Sequence, residues 1–63
     1  MEKEYIFTWG GGNLPRRREA FFFECDADAM MAARKFMSKH YIAIINVFGG
    51  DGTDMRHIVS YTK

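Results

Sequence analysis

Arg16-Arg17-Arg18 is the sharpest chemical feature of the chain. Three consecutive guanidiniums resist burial and offer paired N–H donors to phosphates or carboxylates. Arg34, Lys35 and Lys39, on the outer side of a predicted helix, extend that positive surface if the two segments meet. The same three arginines also suit a solvated, solubilising hairpin, and spacing alone does not separate the two roles. Cys25, His40 and His57 are the nucleophile and metal-ligand candidates. Cys25 precedes the helix and His40 follows it, which at 1.5 Å per residue puts them roughly 20 Å apart. They cannot form a dyad, and His57 beside either one makes only two ligands, too few for a zinc site. A helix N-terminus favours a thiolate at Cys25, but a small half-buried hydrophobe is the simpler reading. Glu24, Asp26 and Asp28 suit a strand edge and a helix cap better than paired acid–base work. No nucleophile, base and oxyanion stabiliser can be named together, so the expectation is a non-enzymatic protein without cofactor or metal.

Two glycine-rich stretches invite phosphate chemistry. Gly49-Gly50-Asp51-Gly52-Thr53 resembles the short signature of diacylglycerol-kinase and NAD-kinase-like enzymes, where glycines let the backbone approach a nucleotide phosphate. Those enzymes need a nucleotide-binding domain several times this length, and here a strand follows where a helix belongs. A Gly-Asp-Gly hairpin turn accounts for the same residues. Gly10-Gly11-Gly12 has no following Gly-Lys-Ser/Thr and is not a phosphate loop.

The elements that must position these residues are few. Glu4–Trp9 alternates and is rich in β-formers, with Tyr5, Phe7 and Trp9 on one face and Glu4, Ile6 and Thr8 on the other. Gly10–Arg18 is expected to be a long hairpin loop, and Glu19–Cys25 a second strand. Asp26–Lys39 is the one segment of helical period, with Asp26 at the N-cap and Asp28 in the first turn. Ala29, Ala33, Phe36 and His40, flanked by Met30 and Met37, make its inner stripe; Asp28, Met31, Arg34, Lys35, Ser38 and Lys39 face outward. His40–Phe48 is a third strand, and Met55–Thr62 a fourth. Sixty-three residues make one domain, 1–63, near the lower limit for a core without staples. A single cysteine excludes an internal disulfide. The net charge of +1 gives no global attraction to nucleic acid, so local clustering must carry any electrostatic role. Met1–Glu4 is charged and Tyr5–Trp9 is too short for a leader's apolar stretch, so a cytoplasmic protein with no membrane segment is expected.

The order ββαββ predicts an α+β domain: a four-stranded antiparallel sheet with one helix on one face. One helix covers one face, yet both faces carry large apolar groups. Ile6, Phe22, Ile42, Ile44, Phe48 and Ile58 alternate away from the set led by Phe7, Phe21, Phe23, Ala43, Ile45, Val47 and Val59. Which set meets the helix depends on register. Phe22, Ile42, Ile44 and Ile58 are therefore expected on an uncovered face, as the surface of a homodimer or a groove for a target.

In this layout the chain resembles the small phage-encoded anti-CRISPR proteins that inhibit type I surveillance complexes. The likeness runs through Tyr5-Ile6, Glu19, the acidic turn Glu24-Cys25-Asp26-Ala27-Asp28-Ala29, the helix Ala32-Ala33-Arg34-Lys35, the strand Ala43–Val47 and a final strand ending near Tyr61. It departs in the Gly10–Arg18 loop and the GGDGT turn. The resemblance implies a non-enzymatic inhibitor of a host defence complex that blocks its nucleic-acid-binding surface, with Arg16, Arg17, Arg18, Arg34 and Lys35 as contacts. Its partner would be a larger host protein or ribonucleoprotein. The alternatives are a nucleic-acid-binding module, in which Arg16–Arg18 grip phosphates and Trp9 or Phe22 stacks on bases, and a small structural or assembly subunit.

Overall fold

The computed structural model of the chain describes residues 2–11, 14–50 and 55–63. Its elements are β1 (Lys3–Gly11), β2 (Leu14–Phe23), α1 (Asp26–Lys39), β3 (Ile44–Gly49) and β4 (Arg56–Thr62). The strands form one open antiparallel sheet in the order β2-β1-β3-β4, and α1 packs on one of its faces. The predicted ββαββ domain is the observed one. β2 and β3 both oppose β1, so they run parallel to each other across it, and α1 is the crossover that joins them.

The face that α1 covers is the one led by Phe7. Tyr5, Phe7, Ile45 and Val47 project from the two central strands and are fully buried against Ala29, Ala33 and Met37. Ala29 and Ala33 have no exposed surface at all, and their methyl groups let the helix axis lie close to the sheet. Phe21, Phe23, Trp9 and Phe36 close the β2 side. The rings of Phe7 and Phe21 stand 4.7 Å apart, and those of Trp9 and Phe36 meet edge-on at 4.8 Å. Each large side chain buried this way contributes about 1.5–3 kcal/mol.

Several boundaries differ from the sequence expectation, each for a local reason. Gly10–Arg18 is not a long loop, because β1 continues to Gly11 and β2 already begins at Leu14. Gly10 makes this possible by adopting φ +113 at a bulge, where a Cβ would meet the Pro15 carbonyl oxygen at 2.6 Å. Pro15 is tolerated because β2 is an edge strand. Asp26 is the first helical residue rather than the cap; Cys25 occupies the N-cap position without a side-chain cap bond. The third strand starts at Ile44, four residues later than its β-forming composition suggests. Positions 51–54, with most of the predicted Gly49–Thr53 turn and Asp54, lie outside the described residues, as do Gly12 and Asn13.

The late start of β3 follows from how α1 ends. The Ile42 amide donates to the Met37 carbonyl at 3.0 Å, the six-to-one bond of a Schellman ending, and Tyr41 takes the left-handed φ of 55. Ile42 then packs beside Met37 in the core. The expectation that Ile42 lies on the uncovered face is thereby corrected. Ile58 needs the same correction. A bulge between the Val47–Val59 and Phe48–His57 pairs inserts Ile58 as an extra residue, and its side chain packs on the core.

Asp26 ties the helix start to the sheet by accepting a 2.7 Å hydrogen bond from the buried Tyr5 hydroxyl. That bond, with burial and the carboxylate's charge, pushes the Tyr5 pKa up to about 12. The fold thus holds the neutral phenol. Its contribution is whole below the unfolded value of 10.0 and is lost as pH rises towards about 12. Tyr5→Phe should cost about 1 kcal/mol at neutral pH and flatten the loss of stability above pH 10, read by urea titration. Parallel losses in the two proteins would show that the bond contributes nothing. Gly49→Ala should cost about 1–3 kcal/mol by overpacking, because its Cβ would stand 2.9 Å from the fixed Tyr5 ring.

Candidate functional site

Because Arg16, Arg17 and Arg18 belong to a strand, they alternate across the sheet edge instead of pointing together from a loop. Arg18 opposes Thr8 on the uncovered face, and Arg16, which falls within the bulge, lines the groove on that side. Arg17 opposes Trp9 on the helix side. The arginines therefore straddle the edge of β2.

On the uncovered face, a groove of about 560 Å³ is lined by Thr8, Gly10, Arg16, Arg18, Ile44, Asn46 and Phe48, among others. Beside it runs a polar chain that period-2 reasoning cannot find. Ser60 donates to Asn46 Oδ1 at 2.5 Å and meets His57 Nε2 at 2.6 Å. Residues 57 and 60 differ by an odd number and should face opposite ways in a regular strand. The bulge at Ile58 brings them to one side, where His57 also lies edge-on to Phe48 at 5.5 Å. No sequence signal marks this bulge. The network has a serine hydroxyl and an imidazole in contact, but Asn46, not a carboxylate, is the third member.

On the helix side, a cleft of about 840 Å³ opens between the end of α1 and the β1–β2 hairpin. Trp9, Phe21 and Phe36 form its walls, Arg17 and Glu19 stand on the β2 rim, and His40 and Tyr41 stand on the other. The cleft exists because a fourteen-residue helix stops short of the sheet's full length. Trp9 thus faces the cleft and packs on Phe36, so of the two stacking candidates only Phe22 stands on the open face, 57% exposed.

Arg34 does not extend the arginine patch. Its guanidinium lies 5.7 Å from the Tyr61 ring on β4, the opposite edge of the sheet from β2. Lys35 is exposed on the outer side of the helix. Cys25 and His40 remain at opposite ends of α1. Among the described residues, no three of His, Cys, Asp and Glu gather where a metal could be held, and no helix is long and apolar enough to cross a membrane.

The pairing also sorts charge by end. Lys3 opposes Phe23 and Gly49 opposes Arg56, so Glu2, Glu4, Glu24, Asp26 and Asp28 share one end with Lys3 and Arg56. Arg16, Arg17, Arg18, Lys39 and Lys63 gather towards the other, where the Lys63 amide bonds the Ala43 carbonyl. A net charge of +1 conceals this polarity along a molecule 36 Å long. Each end also opposes the helix dipole, with acids at the N-terminus of α1 and Lys39 at its C-terminus.

No protein-family model, curated protein or solved structure matches the chain.

Of the four residues expected on the uncovered face, Phe22 and Ile44 are there, the latter 45% exposed. Ile44→Lys should therefore change stability by less than about 0.5 kcal/mol, whereas Ile42→Ala should cost about 2–5 kcal/mol. Urea midpoints of the two variants check the assignment.

Proposed function

We propose that the protein is a non-catalytic binding module whose uncovered sheet face takes a single-stranded nucleic acid. The observation that carries this reading is the composition of that face at the basic end. Arg16 and Arg18 line a groove with Ile44, Asn46 and Phe48, and the Asn46–Ser60–His57 chain supplies donors and acceptors beside it. Guanidiniums hold phosphates, the flat ring of Phe48 accepts a base face, and small polar groups meet base edges. Strands lying across an open antiparallel sheet satisfy all three needs on one surface.

A second reading, an inhibitor that occupies the nucleic-acid-binding surface of a host defence complex, draws support from the opposite end. Five carboxylates from Glu2, Glu4, Glu24, Asp26 and Asp28 offer a negative surface to a basic groove on such a complex. In that case the contacts are these acids rather than Arg16–Arg18, Arg34 and Lys35.

Fluorescence anisotropy with a mixed-sequence single-stranded oligonucleotide tests the first reading. Affinity should fall with salt on a log–log slope of about −2 if all three arginines meet phosphates. Arg16→Glu with Arg18→Glu should weaken binding by at least about tenfold, while Arg34→Ala leaves it unchanged. No binding to DNA or RNA single strands at low salt overturns the reading. Capture of a host complex that depends on the acidic residues supports the second instead.

A further inference from the structure

We infer that the helix-side cleft is a pocket for a guanine base, entered by a nucleotide of the strand held on the uncovered face. The inference rests on that nucleic-acid reading and names what the second cavity adds to it. The two cavities are not separate. Trp9, Gly10, Arg17 and Ile44 line both, so among the described residues the grooves meet at Gly10, just past the last pair of β1 with β3. Gly10 presents no side chain there, and its φ of +113 and the Pro15 carbonyl exclude one. A strand crossing the uncovered face beside Arg16 and Arg18 thus reaches the cleft over bare backbone, with Arg17 on the same edge for the next phosphate.

The cleft suits a flat ring. Trp9, Phe21 and Phe36 supply aromatic walls, and about 840 Å³ is the size of a pocket for a nucleotide-sized ligand. Tyr41 at the lip is 84% exposed and sits at φ 55, a backbone conformation in which glycine would be unstrained. Glu19 sets the base. It opposes Phe7 on the helix side, is exposed, and lies on the cleft rim. Of the common bases, only guanine carries N–H donors on two adjacent positions, N1 and the 2-amino group. That spacing matches the two oxygens of one carboxylate.

The test uses the full chain and its single tryptophan. Trp9 fluorescence and the NMR signals of Phe36 and His40 are followed during titration with GMP, and with short single strands carrying guanine, inosine or no purine. Guanine should quench Trp9 and shift Phe36 and His40. The guanine strand should bind about tenfold tighter than the inosine strand, which lacks only the 2-amino group. Glu19→Gln, an exposed and conservative change, should remove that difference while leaving the purine-free strand's affinity unaltered. If strands bind with equal affinity and leave Trp9, Phe36 and His40 undisturbed, the pocket is refuted and the sheet-face reading stands. If no strand binds, the sheet-face reading fails, and GMP alone then decides the cleft: shifts at Phe36 and His40 support it, and their absence overturns it.

Discussion

Ala29 and Ala33 set the distance at which α1 lies on the sheet, and most of the molecule depends on that contact. With no exposed surface on either residue, the helix backbone approaches Phe7, Ile45 and Val47 closely enough to exclude water from the two central strands. The outer strands are then too far to the sides to be covered by the same narrow cylinder. Phe36 leans towards β2 and Arg34 towards β4 to fill the flanks. The fit is close along the middle and incomplete at the end where α1 stops. The aromatic cleft is the consequence of a short helix on long strands.

The same constraint governs the other face. Among the described residues α1 is the one helix, and it leaves the second face of the sheet uncovered. Its occupants are arranged accordingly. Ile6 is nearly buried by its neighbours on the central strand, while Thr8, Asn46 and Ser60 form a polar band, and Arg16 and Arg18 guard the β2 edge. Arginines, a proline and a glutamate along β2 also discourage pairing with a further strand, which an open edge of ten residues would otherwise invite. Edge protection and ligand binding ask for the same residues here. The two roles are separable only by what the arginines share a groove with.

Much of this arrangement was legible in the amino-acid order. Alternation in β1 separates Tyr5, Phe7 and Trp9 from Ile6 and Thr8. The helical period puts Ala29, Ala33 and Phe36, with Met37 on the flank, against the sheet, although His40, expected on the same stripe, is exposed past the helix end. What was not legible shares one cause: short departures from period. Gly10 allows a bulge that lengthens the hairpin strands and turns the presumed arginine loop into a strand. The helix ends at Lys39 as its period implies, but Tyr41 then takes a conformation that normally belongs to glycine, so the turn after the helix is invisible in composition and Ile42 enters the core. Ile58 is an inserted residue, and every position before it in β4 changes face relative to simple alternation. A one-residue slip inverts a strand. That is why His57 and Ser60, an odd number apart, meet.

These irregularities are also where the surface chemistry sits, and the coincidence has a physical basis. A regular strand presents one side chain every second residue to each face, which spreads like groups evenly. A bulge breaks that spacing and crowds side chains that regular pairing would hold apart, as it does for His57, Ser60 and Asn46. A left-handed residue redirects the chain over a single position, so Tyr41 can stand at the cleft while Ile42 anchors the core. Gly10 removes the side chain that would wall one cavity from the other. In a domain with so little interior, departures of one residue are the cheapest way to build a surface that alternation cannot provide. Each is tolerated because the contact between α1 and the two central strands already holds the rest of the sheet in place.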